Sequence, residues 1–207
     1  MSNVLVIAPH ADDECMGLGA TIAKHVKAGD IVHVCILSFR EDNSPETQIE
    51  QAEDVKSILG FQHLHFLNLV DEYLDNLNRD IIKPLEIIYK KIKPNIVYTC
   101  PQNDTNQDHR ATFDATMTVC RYGDIPPEKL FVYNSGSAIN FTPNYYNVIN
   151  EQQANAKVES MECYDDQVRV YPHPRCRESI MIKLQAAGIN AGVRMAEPFI
   201  LIREIHH

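Results

Sequence analysis

No stretch of this 207-residue chain stays apolar for the length of a membrane span. The longest candidate, Ile31 to Phe39, is broken by His33 and falls well short of the roughly 20 residues a spanning helix needs. Basic charge is scarce: 19 Lys and Arg stand against 28 Asp and Glu, a formal net charge of −9. That balance argues against a grip on the phosphate backbone of nucleic acid, which needs a basic face, and against attraction to anionic lipid. Met1-Ser2-Asn3 offers no basic n-region, so no signal peptide is expected. The six cysteines (Cys15, Cys35, Cys100, Cys120, Cys163, Cys176) show no paired spacing, which predicts reduced, mostly packed thiols in a cytoplasmic protein. Repeats, low-complexity tracts and linkers are missing too, so residues 1–207 read as one domain. The terminal His206-His207 pair reads as a tag remnant rather than a functional pair. What is present is an ordinary globular composition, 44% apolar and 23% charged, with length enough for a sizeable core.

Short β-branched runs alternate with segments of helical period. Val4 to Ile7 reads as a strand buried on both faces and is followed by a helix over about Glu14–Lys27, with Cys15, Leu18, Ile22 and Val26 on one side. Ile31–Leu37 is the second strand, Glu46–Leu59 a helix closed by Gly60, and His63–Leu67 the third strand. A helix with Leu77, Ile81, Leu85, Ile88 and Ile92 on one side comes next, where Pro84 predicts a kink or a restart. Strands at Asn95–Thr99 and Lys129–Tyr133 flank a helix over about Arg110–Arg121. The pattern calls for right-handed crossovers and an α/β, Rossmann-like three-layer sandwich with a mostly parallel sheet in the order 3-2-1-4-5. The last third adds an irregular stretch over Asn134–Asn150, helices at Ala154–Cys163 and Glu178–Ala187 around a loop, and an edge strand at Phe199–Ile205.

After the first strand comes Pro9-His10-Ala11-Asp12-Asp13-Glu14. A dinucleotide-binding turn would carry glycines here, whereas three consecutive acids repel a pyrophosphate, and Gly17 and Gly19 lie too far along. Acids in a first helical turn can simply cap the helix, but a cap does not explain His10 beside them. The order 3-2-1-4-5 makes strands one and four neighbours at the switch point. It therefore sets His10 and Asp13 opposite Cys100–Arg110, the loop that ends in Asp108-His109-Arg110. Two nitrogens and one carboxylate with a fourth position open match a catalytic zinc centre. The competing reading of His109 is a helix-start histidine hydrogen-bonded to Asp108.

These segments resemble the LmbE-like (PIG-L) family of zinc-dependent N-deacetylases. Pro9-His10-Ala11-Asp12-Asp13-Glu14 matches its first signature and Asp108-His109 its second, with Arg110-Ala111-Thr112 continuing alike. A looser likeness covers Tyr171-Pro172-His173-Pro174-Arg175 and Ala196-Glu197-Pro198-Phe199. The resemblance implies that His10, Asp13 and His109 bind Zn2+ or another divalent metal and that Asp12 is the general base. It also implies removal of an N-acetyl group from an amino sugar or sugar conjugate, a nucleotide sugar included, and assembly as a homo-oligomer, as related enzymes often do. Asp108 is then expected to hold the far nitrogen of His109, or to cap the helix, and Glu14 to stand behind the ligands. Two positions depart from the family. Asn106 stands where many members carry an oxyanion-stabilising histidine, and an asparagine donates a hydrogen bond but carries no charge. His173 is the candidate donor in its place, against a loop histidine packed between prolines. The helix at Glu46–Leu59 offers Gln48 and Gln51 where many members place a substrate arginine, so Arg40 is taken as the substitute, with Asn106 and Arg175 as further substrate contacts. Two other function classes stay open: a metal-dependent amidase acting on a non-sugar amide, and a non-hydrolytic nucleotide-binding module.

Overall fold

The first strand, β1 (Asn3–Ala8), is buried almost throughout, and its alternate residues feed two separate cores. Val4, Val6 and Ala8 join one, Leu5 and Ile7 the other. The computed structural model describes residues 1–74, 78–121 and 126–206. Leu77, expected on the apolar side of a helix, and His207 lie outside them.

The helices α1 (Asp13–Lys27), α2 (Pro45–Leu59), α3 (Asn78–Ile92), α4 (Gln107–Val119), α5 (Glu151–Glu162) and α6 (Arg177–Ala191) surround seven strands. After β1 these are β2 (Ile31–Phe39), β3 (His63–Val70), β4 (Ile96–Thr99), β5 (Lys129–Tyr133), β6 (Tyr145–Val148) and β7 (Ala196–Glu204). The sheet order is β3-β2-β1-β4-β5-β7-β6. The five parallel strands stand as the alternation predicts, with β1 pairing β2 and β4 through Val4↔Val32 and Val6↔Tyr98. Residues of α1, α2, α5 and α6 pack into the core on one face, and those of α3 and α4 into the core on the other. All six cysteines are free, five of them buried.

Local chemistry accounts for most boundaries. Ser44 caps α2 by accepting from the Thr47 N–H at 3.1 Å, Pro45 fills the first helical position, and Gly60 closes the helix at φ 78°. Asn150 and Gln153 form a reciprocal capping box on α5. Two expectations need correction. The strand expected at Phe199–Ile205 as an edge is β7, and it lies between β5 and β6, antiparallel to both. The true edge, β6, falls in the stretch read as irregular. Three of its four residues are half-buried and Val148 is exposed, so it owes its extended form to pairing with β7 rather than to an apolar pattern of its own. At Pro84, where a kink or a restart was expected, α3 runs through as one element.

Helix α1 is bent instead, at Leu18 (φ −152°) between Gly17 and Gly19. A Cβ on Gly17 would come within 2.3 Å of the Tyr133 ring, and one on Gly19 within 3.3 Å of the Lys157 backbone. Both glycines thus let α1 approach its neighbours closely. The N–H groups freed at the bend, those of Ala20 and Thr21, donate to the Glu197 carboxylate at 3.3 and 2.6 Å.

Candidate metal centre

The parallel strands all end on one rim of the sheet, and the segments leaving β1, β3, β4 and β5 meet there. Among the described residues, His10, Asp13 and His109 bring one ligand atom each to within 4.8 Å of one another, and all three are buried. Asp13 Oδ2 lies 3.2 Å from His10 Nδ1 and 3.4 Å from His109 Nε2.

The far nitrogen of each imidazole is held by a carboxylate. His109 Nδ1 lies 2.9 Å from Asp104 Oδ2, and His10 Nε2 lies 2.9 Å from Asp71 Oδ1 and 3.3 Å from Asp108 Oδ2. This arrangement fixes which nitrogen keeps its proton and turns the other lone pair toward Asp13. It also corrects the expectation for Asp108, because Asp104 is the residue that orients His109. Asp108 accepts from the Glu72 and Leu74 N–H groups at 2.7 and 3.1 Å and so ties the segment after β3 to His10. His10, Asp71 and Asp108 form a second convergent triad, but the oxygens of Asp108 are already occupied by these backbone donors. Two imidazole nitrogens and one carboxylate oxygen, each imidazole braced from behind, fit a borderline cation such as zinc.

The charges follow from burial and contact. Burial works against both protonated imidazoles. The surrounding carboxylates outweigh it, raising His10 well above the ordinary range and His109 to about 9. Burial likewise pushes Asp13 up, but His109 and His10 outweigh it and hold that carboxyl far below the ordinary range. For Asp104 the hydrogen bonds from His109 and Ser135 overcome burial and bring it down to about 2.

Asp12 is different. It sits at φ 120°, strained for a residue with a side chain, in a turn pinned from two sides. Arg40 Nη1 donates to the Ala11 carbonyl, and the Asp12 N–H donates to Glu14 Oε2 at 3.1 Å. Glu14 is buried in turn, accepting from the Tyr164 hydroxyl at 2.6 Å. Asp12 Oδ2 receives no aligned hydrogen bond, although Arg175 Nη2 stands 2.9 Å away. Burial, then the neighbouring Asp13 charge, lift Asp12 to about 7, with Arg175 and Arg40 pulling the other way.

A cleft of about 440 Å³ opens over the triad. Asn106, His173 and Arg175 line it, together with Glu72, Ser135 and Ser137. Asn106 caps α4, its Oδ1 accepting from the Asp108 N–H at 2.8 Å. His173 is exposed, and its Nδ1 accepts from the Arg175 N–H at 3.2 Å, which places the ring proton on Nε2. Arg40, expected to contact substrate, is only 8% exposed. Its guanidinium is committed to Ala11, Asp42 and Asp166, so it braces the Asp12 turn from below. Asp71 and Asp104 escaped the sequence reading. Asp71 is signalled by its place just past a parallel strand, and Asp104 stands in the very loop that delivers His109.

Residues 5–120 match the family model described as PIG-L: GlcNAc-PI de-N-acetylase. The uncharacterized deacetylase YaiS of Escherichia coli is 27% identical over 168 residues, 77% of this chain and 88% of that protein. The N,N'-diacetylchitobiose deacetylase of Pyrococcus horikoshii superposes with a TM-score of 0.78 at 20% identity, over 97% of this chain and 84% of the other. GalB of Pseudomonas putida, a 4-carboxy-2-hydroxymuconate hydratase, superposes with a TM-score of 0.79 at 17% identity, over 100% and 98%. At such identities the two superpositions establish the shared fold, which by itself does not select a reaction.

Proposed function

We propose that this chain, which belongs to the PIG-L de-N-acetylase family, is a zinc-dependent hydrolase that removes the acetyl group from an N-acetylated amino sugar or sugar conjugate. One observation carries the reading: a buried carboxylate, Asp12, with an oxygen that receives no aligned hydrogen bond, adjoins a braced two-histidine, one-carboxylate triad, and burial lifts it to about 7. A general base works best when its pKa lies near the working pH. His10, Asp13 and His109 would hold the ion. When bound, zinc supplies Lewis-acid polarisation of the amide carbonyl and acidification of water.

Asp12 takes the proton from the attacking water and returns it to the departing nitrogen. That proton makes the amine a competent leaving group, so one carboxylate serves as base and then as acid. His173 donates from Nε2 to the carbonyl oxygen as it gains charge. Asn106, whose Oδ1 is used by the helix cap, offers its amide N–H groups to the same cleft. Arg175 lines that cleft and touches Asp12, so it both steadies the anion and meets the substrate. Arg40 keeps the Asp12 turn in its strained form. The polar side chains of Glu72, Asn106, Ser135 and Ser137 at the cleft suit a polyhydroxylated ligand.

The test is acetate release from a panel of N-acetylated monosaccharides, chito-oligosaccharides and nucleotide sugars, with metal content measured on the same samples. Zinc-loaded protein should release acetate from at least one of them, and the chelated protein should not. Zinc-loaded protein inert on every sugar, yet active on an N-acetylated peptide or amine, would move the activity to a non-sugar amide.

A further inference from the structure

The opposite end of the sheet carries a second cluster of nitrogen ligands. His63 and His65 lie two residues apart on β3, so they project on the same face. His33 on β2 pairs in register with His63. The His33 and His63 rings stack at 4.3 Å between centroids, and His33 Nδ1 approaches His65 Nε2 to 3.2 Å. We propose that His33 and His65, with His63 as a third arm, form a binding site for a late first-row divalent cation, separate from the catalytic cleft.

Zinc–imidazole bonds near 2.0–2.1 Å at a tetrahedral angle place neighbouring nitrogens about 3.3 Å apart. The His33–His65 separation already has that span. Ile31, Ile87, Ile88 and Ile92 line the same cavity of about 470 Å³. Burial, then the neighbouring His63 and His65, push His33 down to about 4. His65 is lowered by burial and by His63. Both shifts favour the neutral rings, whose lone pairs can bind a cation. Imidazole-only donors of this kind suit copper, nickel and zinc rather than magnesium or calcium. Lys91 lines the cavity as well and opposes a cation there, which favours a site weaker than the catalytic one.

Without metal, one proton bridges His33 Nδ1 and His65 Nε2. On binding, that proton moves to the other nitrogen of the ring that carried it, so two coordination bonds replace one hydrogen bond with no net proton release. The stacked ring of His63 does not yet aim a nitrogen at the pair. It is exposed on the edge strand and turns in about its own side-chain bonds.

Equilibrium dialysis of the full chain against Zn2+ tests the site. The unaltered protein should hold one equivalent more than the His33→Gln/His65→Gln variant, while both release acetate at the same rate. In a His10→Ala/His109→Ala background the remaining zinc should disappear when His33 and His65 are also replaced. His63→Gln should weaken the extra binding without abolishing it. Should the double variant fail to fold, imidazole nitrogen NMR of the unaltered protein decides, because zinc must shift His33 Nδ1 and His65 Nε2. Equal zinc content in the unaltered and His33→Gln/His65→Gln proteins, or unmoved resonances, would overturn the proposal.

Discussion

Helix α1 meets buried charge twice, and the two encounters are opposites. At its bend, Glu197 accepts from the Ala20 and Thr21 N–H groups and from Lys157 Nζ at 2.5 Å, and Lys157 also donates to the Met16 carbonyl at 2.7 Å. That pair is sealed: side-chain exposures are 1% for Glu197 and 6% for Lys157. At the start of the helix, Asp12 is equally buried but strained, with an oxygen that receives no aligned hydrogen bond. A satisfied buried charge holds the scaffold in one geometry. A buried charge left partly unsatisfied keeps its free energy available for proton transfer.

The comparison predicts opposite outcomes for similar edits. Asp12→Asn should lower kcat by about 10²- to 10⁴-fold while the triad keeps its zinc, and Asp13→Asn should lose the triad's zinc and the activity together. A metal titration with acetate release on both variants checks this. Zinc lost from the Asp12 variant and kept by the Asp13 variant would reverse the assignment of base and ligand. Glu197→Ala strands the Lys157 ammonium and should cost about 3–5 kcal/mol of stability, read by urea denaturation. A loss below about 1 kcal/mol would mean that the bend does not depend on that pair.

Smaller effects sharpen the contrast within the cleft. His173→Ala should lower kcat by about 10²-fold with little change in KM, as loss of an oxyanion donor does. An unchanged kcat would make His173 a loop-packing residue. Asp104→Asn should weaken zinc by about 10- to 100-fold, because the brace on His109 is softened while every ligand stays. Direct dialysis reads that change, whereas an unaltered affinity would confine Asp104 to holding its loop through Ser135 and the Asn106 N–H.

The smallest effect concerns pH. Asp12, His10 and His109 all bind their protons more tightly in the folded, metal-free protein than in the unfolded chain. Groups with raised pKa stabilise fully below their unfolded values and lose that contribution as pH rises through the folded ones. Those folded values are about 7 for Asp12 and about 9 for His109. Chelated protein should therefore melt at progressively lower temperature from about pH 6 to about pH 9. Zinc-loaded protein should not follow it, since the ion and protons compete for the same nitrogens. Parallel melting profiles with and without zinc would count against the ligand assignment.

The alternation of β-branched runs with helical periods determined the five parallel strands and their order, because a strand buried on both faces and a right-handed crossover leave few alternatives. It also brought Asp13 and His109 together across almost a hundred residues, since ligands gather where strands one and four part. Side-chain pairing at that rim was decided only in three dimensions. Asp104 rather than Asp108 meets His109, Asp71 arrives from β3, and Arg40 turns inward beneath Ala11, none of which a spacing encodes. The same holds for β6, which becomes a strand by hydrogen-bonding to β7. Periodicity records what each segment does with its own apolar face, and so it reports elements and their sides. Which polar atom meets which is settled by distances of an ångström between segments far apart in the chain, and those exist only after the sheet has formed.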